Sequence, residues 1–551
     1  MKLFSQIVAA AAFACGVIPS QAMANQSPVD QADPSVVEDE LRDEKRERPD
    51  GRPLQAPKPR PARSSPNTPI LVGAVRVEGA QALPQAAFAP VIESYAGRTL
   101  SPGELQALAS DIANVARRAG FGLATAWIPQ QRVEHGVLKV LVDEGRIDAV
   151  EVTGSGRDAA ERYVRRLGAP GPVRTAELER QLLLAGDAAG VEMGKARLER
   201  RDGRNVLVVA ASQDRIQGRA ILDNWGSSTS GPIRARLSFD VNGVFGPDDR
   251  LSVDGLVTPV QPKEFGLLRA VYGAPIDSSG TEISIGGYVA ASEAGGALVR
   301  RDIDGRSIEA EAELRHPLLR SRQASVWAAL TVRVRDSEQS REDAPIRDDR
   351  LATLTGSLYG VRRLPDGRLR GRASLVQGFG GFGATQHGDP LASRPDADGR
   401  FTKIELWAEV EHKLGGRFSL FAQAEGQAAN GPLLSSEEMG LGGRFFGRAW
   451  DYREFSGDRG LAGALELRFD LKPRQGPIKS TQLYVYADAG TVANEGAGTG
   501  GGSLASSGVG IRFRLPKGLR AGLEVGVPLT HGADPTKDDE PRFSFTIDKR
   551  F

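Results

Sequence analysis

"GALELRFDL", residues 463–471, alternates without a break. Leu465, Leu467, Phe469 and Leu471 fall on one face of an extended chain, and Glu466, Arg468 and Asp470 fall on the other. Successive side chains of a strand point to opposite sides, so the stretch has one greasy face and one charged face. The parity recurs at 403–410, where Ile404, Leu406, Ala408 and Val410 oppose Lys403, Glu405, Trp407 and Glu409. It recurs again at the end, where Phe543, Phe545, Ile547 and the last residue, Phe551, line up. Working outward, such segments follow one another from "RAILDNWG" (219–226) to "RFSFTIDKRF" (542–551). About sixteen fit into 215–551, at roughly 21 residues per strand and turn, which suits strands of ~10 residues. A soluble sandwich would put the charged face in water around a bulky core. A membrane barrel puts the apolar face outside and lines a wet lumen with the charges. The rest of the chain favours the barrel.

The chain starts with a leader. Lys2, the apolar run "IVAAAAFACGVI" (7–18) and "QAMA" ending at Ala24 make residues 1–24 a secretory signal peptide, with Asn25 as the first mature residue. The single cysteine, Cys15, lies inside it, and a lipoprotein reading of "AFAC" fits its residues poorly. A mature chain without cysteine has no disulfide scaffold, thiol catalysis or Cys-based zinc site. No later apolar run approaches the ~18 residues of a spanning helix, but a closed barrel also satisfies every backbone group in lipid. With 71 basic and 70 acidic residues the net charge is +1, and no field draws the protein to nucleic acid.

Residues 25–48 contain "DPSVVEDELRDEKRER" (33–48), which reads either as a short capped helix or as a charged tail. Asp33 is the cap, Pro34 suits the first turn, and only Val36, Val37 and Leu41 make an apolar face. The Pro-rich stretch 49–69 is a linker able to span on the order of 60 Å in polyproline II form. Residues 70–145 read β-α-α-β-β. Ser101, Pro102 and Glu104 start the second helix with a capping box, and Gly120 stops it. Residues 146–214 repeat that order, as an internal repeat or as two small α/β domains.

One stretch has no period. "LGGRFFGRAWDYREFSGDRG" (441–460) falls between the eleventh and twelfth strand segments. With its surroundings (426–467) it resembles the loop-6 region of two-partner secretion transporters, the haemolysin and adhesin secretion/activation proteins of the Omp85 superfamily. Their tip is Val-Arg-Gly-(Phe/Tyr); here it is Gly447, Arg448, Ala449 and Trp450. The flanks Gly442 and Gly443, and Gly457, Asp458 and Gly460, match, and "YADAG", Tyr486 to Gly490, resembles the family's Phe-x-Asp-x-Gly.

The resemblance covers nearly the whole mature chain. It implies a membrane β-barrel of about sixteen antiparallel strands, preceded by two periplasmic POTRA domains (70–145 and 146–214) and an N-terminal plug helix carrying Val37 and Leu41. Loop 6, at about 434–462, would fold into the lumen. There Arg448 would grip Asp488, whose parity with Gln482, Tyr484 and Tyr486 points it inward, with Gly490 beside it. Arginine suits that role because its planar fork can hold a carboxylate bidentately. The glycine usual at the third tip position is absent, so this loop has to turn with Ala449.

The function implied is ATP-independent export of a large partner protein, such as an adhesin or haemolysin, across the outer membrane of a Gram-negative bacterium. The unfolded partner would dock on the POTRA domains by adding a strand to an exposed edge, at 123–130 or 191–201. Outer-membrane lipids and the barrel assembly machinery, read through Phe551, are further partners implied. The alternative is an outer-membrane protein insertase of the same superfamily. No enzyme, cofactor or metal is expected: His135, His316, His387, His412 and His531 are scattered outside any H-E-x-x-H or G-x-S-x-G context.

Overall fold

The alternating stretch at 70–79 breaks at Gly73, whose N–H donates to the Gly136 carbonyl at 2.8 Å. It therefore forms two strands, β1 (Ile70–Val72) and β2 (Ala74–Glu78). These come from a computed structural model that describes residues 29, 32–35, 69–471, 476–496, 500–533 and 540–551. After helix α1 (Ala89–Tyr95), β3 (Arg98–Leu100) pairs with β1. Helix α2 (Pro102–Arg118) starts as its sequence dictates. Ser101 Oγ accepts from the Glu104 N–H, and the Glu104 carboxylate accepts from the Ser101 N–H at 2.8 Å. That backbone N–H, and next the hydroxyl, hold the Glu104 carboxyl below its ordinary pKa. Strands β4 (Thr125–Trp127) and β5 (Val137–Asp143) complete a sheet in the order β2–β5–β4, on which Leu105, Leu108 and Ile112 of α2 pack.

The second unit repeats the order with β6 (Ala149–Thr153), α3 (Arg157–Val164), α4 (Thr175–Asp187), β7 (Val191–Arg201) and β8 (Arg204–Gln213). Its sheet runs β6–β8–β7. Strands β4 and β7, which lie in the two stretches read as docking edges, are outer strands of their sheets.

Sixteen antiparallel strands then close into a barrel. Eleven run from β9 (Ile216–Asp223) to β19 (Phe418–Ala429), and five from β22 (Arg459–Asp470) to β26 (Arg542–Arg550). The two between, β20 (Met439–Leu441) and β21 (Phe455–Gly457), pair only with each other, as a hairpin inside the lumen. At the seam Phe551 and Gly218 exchange backbone hydrogen bonds of 2.8 and 3.0 Å. The Phe551 ring stands edge-on to Phe239, with centroids 5.9 Å apart.

The parity of the opening stretch decides which way each side chain faces. On β22, Leu465 and Leu467 are 43% and 41% exposed while Glu466 between them is 1% exposed. The apolar face is therefore the outer one, and it meets lipid. Arginine there is costly by about 2–4 kcal/mol near the bilayer midplane. We expect Leu465→Arg to lower the barrel's urea-unfolding free energy in lipid vesicles by that amount. An unchanged midpoint would place Leu465 elsewhere.

The second α/β unit is seated on the barrel's near mouth through arginines. Arg180 donates to the Pro317 and Ser279 carbonyls at 2.9 and 3.2 Å. Arg320 grips Asp187 with two bonds of 2.6 and 2.7 Å, Arg322 meets Glu179 at 3.1 Å, and Arg162 meets Asp248 at 2.6 Å. Burial pushes the Asp248 carboxyl above its ordinary pKa, with Arg162 opposing.

At the far mouth, Val29 and Ala32–Ser35 are buried against the inner wall. The Val29 carbonyl accepts from Gln339, the Ala32 carbonyl from Ser292, and the Asp33 carboxylate from Ser337. Asp33 also accepts from the Ser35 N–H at 2.8 Å, as a cap would. Val37, Leu41, the leader and linker residues 49–68 lie outside the described residues.

Candidate functional site: the loop inside the lumen

Between β19 and β22 the chain leaves the far rim, descends into the lumen and returns. Its tip is a tight turn in which the Trp450 N–H donates to the Gly447 carbonyl at 3.0 Å. Arg448 and Ala449 are the two central residues. The left-handed residue is Gly447, at φ +76°, and not Ala449. A side chain at 447 would also press on Leu504 and the Gly442 backbone at 3.0–3.2 Å. The tip's glycine thus stands at 447, where φ is positive, and alanine suffices at 449, where the turn needs no positive φ.

Asp488 on β23 (Ser480–Ala493) holds this turn by its backbone. Its Oδ1 accepts from the Gly447 N–H and from Ser506 Oγ, both at 2.7 Å. Arg448 does not grip Asp488 bidentately as expected from sequence: its Nε stands 3.7 Å from Asp488 Oδ2, an ion pair without a hydrogen bond. The Arg448 guanidinium instead donates to Glu466 on β22 at 2.8 Å and to Glu524 on β25 (Leu519–Pro528) at 3.3 Å. Its flat face lies 4.3 Å from the Tyr486 ring centroid. The physical reason is register. Glu466 pairs with Tyr486, one lumen-facing position nearer the α/β units than Ala464–Asp488, and Glu524 lies at a similar depth. The arginine points past Asp488 to reach them. Arg512 completes the cluster, with both amino groups on Glu466 at 3.0 Å and its Cζ 3.8 Å from the Tyr484 ring.

Trp450 grips no wall charge. It packs with Leu441, Phe446, Ala449, Phe455 and Leu504 in an apolar cluster that stiffens the loop from inside. Gly490 gives that cluster room, since a Cβ there would sit 2.5 Å from Leu441. The flanks have distinct places. Gly442 and Gly443 begin the descent at φ +106° and +81°, and Gly457 and Gly460 pass close to Ala493 and Val492 of β23.

Asp458 is fully buried and closes the loop's base. It accepts from the Leu433 and Glu495 N–H groups and from Arg394, at 2.7–2.8 Å. Arg394 stands on the separate far-mouth loop 379–401 and also reaches Glu438 and Asn494. Neither Arg394 nor Glu524 was singled out from sequence. Glu524 carried a parity signal; Arg394 carried none.

A closed sixteen-strand barrel, a pair of small β-α-α-β-β units before it and a loop latched inside its own lumen together define an Omp85-type outer-membrane protein. The family model described as "Haemolysin secretion/activation protein ShlB/FhaC/HecB" matches residues 202–513, and "POTRA domain, ShlB-type" matches 70–145. The chain belongs to this haemolysin secretion/activation family of two-partner secretion transporters. It is 23% identical over 484 residues to the heme/hemopexin transporter protein HuxB of Haemophilus influenzae, covering 84% of each chain. In fold it is similar to CdiB from Escherichia coli, at TM-score 0.75 and 18% identity, over 97% of this chain and 100% of that one. It is also similar to CdiB from Acinetobacter baumannii, at TM-score 0.64 and 16% identity, with the same coverage. The family is one of transporters and places the protein in the Gram-negative outer membrane.

Proposed function

We propose that the protein exports one large partner across the outer membrane, with its two α/β units in the periplasm, and that it does so without ATP. The unfolded partner adds a strand to an outer edge, at β4 or β7, and then passes through the lumen. The observation that carries this reading is the loop at 430–458, folded into the lumen and tied to three walls by Arg448 and Asp488. A resident plug that can be released suits a conduit which must stay shut between cargo molecules. Folding of the emerging chain outside biases its motion outward. The likeness to HuxB, named as a heme/hemopexin transporter, supports a secreted protein as cargo. Deleting the gene is expected to remove a single large protein from the cell surface and medium, with the porin profile unchanged. Misassembled porins with normal export would instead make the chain an insertase.

A further inference from the structure

The inner wall carries a row of side chains that climbs from the near mouth, because the strands are tilted, across β15 (Ala324–Arg341), β16 (Ala344–Leu364), β17 (Gly367–Gly378) and β18 (Thr402–Gly415). By register, Trp327 is opposite Tyr359, Tyr359 opposite Arg372, and Arg372 opposite Trp407. Directly opposed residues in an antiparallel ladder share a face and touch. Trp327, Tyr359 and Trp407 pack as one cluster, and the first two rings have centroids 5.8 Å apart. Guanidinium groups lie over them. Arg315 and Arg320 stand 5.4 and 5.5 Å from the Trp327 ring, and Arg372 stands 5.9 Å from Tyr359.

Aromatic belts of outer-membrane barrels sit on the lipid side, at the interfaces. These three face the other way. A belt role does not explain them, and neither does barrel packing, because a lumen is ordinarily lined with polar groups.

Their position in the channel gives the explanation. Below the row is a cavity of about 570 Å³ between the second α/β unit and the near mouth, lined by Asp187, Arg320 and Trp327. Above it is a cavity of about 250 Å³, lined by Tyr359, Trp407 and the lumen loop's Phe445 and Phe446. Arg315 and Trp327 line both. The row is therefore the sill between the space under the α/β unit and the space under the loop.

We infer that this row is a polypeptide-contact girdle, which holds aromatic side chains of an extended chain as it enters the barrel. The inference rests on the export reading. An extended chain advances ~3.3 Å per residue, so a row that climbs the wall offers a ring to several successive side chains. Flat faces of tryptophan, tyrosine and arginine bind without demanding a sequence, and they stack best on other aromatic rings. The girdle so retards backsliding at aromatic positions without a specific binding motif.

The test uses the purified full chain in planar bilayers and two unstructured 30-residue peptides added at the α/β side. One carries phenylalanine or tyrosine at every fifth position and the other serine. The aromatic peptide is expected to block the current about tenfold longer in the wild-type chain. The triple variant Trp327→Leu, Tyr359→Leu, Trp407→Leu should abolish that difference. Heat-modifiable migration on gels reports whether the triple variant is folded; if it is not, Tyr359→Leu alone should at least halve the difference. Equal dwell times for both peptides in the wild-type chain, or an undiminished difference in the folded variant, overturn the girdle. Blocks by both peptides without preference leave export standing, whereas no block by either, in a pore that is conducting, sinks both readings.

Discussion

Replacing Arg448 with alanine is expected to cut export of the partner at least tenfold while the barrel still assembles. Arg448 is 5% exposed and stands among three wall carboxylates: Glu466 at 2.8 Å, Glu524 at 3.3 Å and Asp488 at 3.7 Å. Removing one member of a buried charge group leaves the others uncompensated, at a cost of about 3–5 kcal/mol. Glu466 keeps Arg468 and Arg512, so the loss falls on Asp488 and Glu524. The cost is borne by the seated loop and not by the strand ladder. The tip should therefore leave the lumen and the pore should conduct more at rest. Arg448→Lys keeps one charge but cannot span three carboxylates from a single point, so it should export at an intermediate level. Partner in the medium, channel recordings and heat-modifiable migration check the three arms. Wild-type export by Arg448→Ala would remove the latch from the mechanism.

Asp458→Ala is expected to have the second large effect, at the loop's other end. The fully buried carboxylate satisfies two backbone N–H groups and Arg394. Its loss strands the two N–H groups, each at the desolvation cost of an unmade buried hydrogen bond, while Arg394 keeps Asp396, Glu438 and Asn494. Loop 430–458 and the far-mouth loop 379–401 lose one of the groups that join them, and the Arg394–Glu438 pair is left to hold the base. Chymotrypsin should then cleave the purified barrel within 441–460 at least ten times faster, at Phe445, Phe446, Trp450 or Tyr452. A cleavage rate equal to that of the wild type would show that the base is held by other contacts.

The barrel could be read from the chain because period two survives any rearrangement of loops. Leu465 and Glu466 declare their faces from two letters of sequence. The loop's place between the eleventh and twelfth strands follows from the same count. The partner of Arg448 was harder. Parity puts Glu466, Asp488 and Glu524 all inside, and only strand register and the loop's depth decide which of them the guanidinium reaches. Arg394 lay beyond reach altogether, since 379–401 has no periodicity and its contact with Asp458 spans 64 residues. The substituted tip shows the same limit. Gly447 and Ala449 are both plain in the sequence, but only the backbone shows that the left-handed residue is 447.

The arginine seat of the second α/β unit has a mechanical consequence. Arg180, Arg320 and Arg322 all bear on residues 317–322, at the corner where β14 (Ile303–Arg320) turns into β15. Arg180 and Arg162 carry the rest of the seat to Ser279 and Asp248, on the two preceding near-mouth turns. A force applied to that unit therefore enters the barrel along one arc of the rim, and at the β14–β15 corner Arg320 joins Asp187 to the Trp327 ring. A pull on the unit outside the barrel is thus transmitted, as by a lever, to the wall inside it.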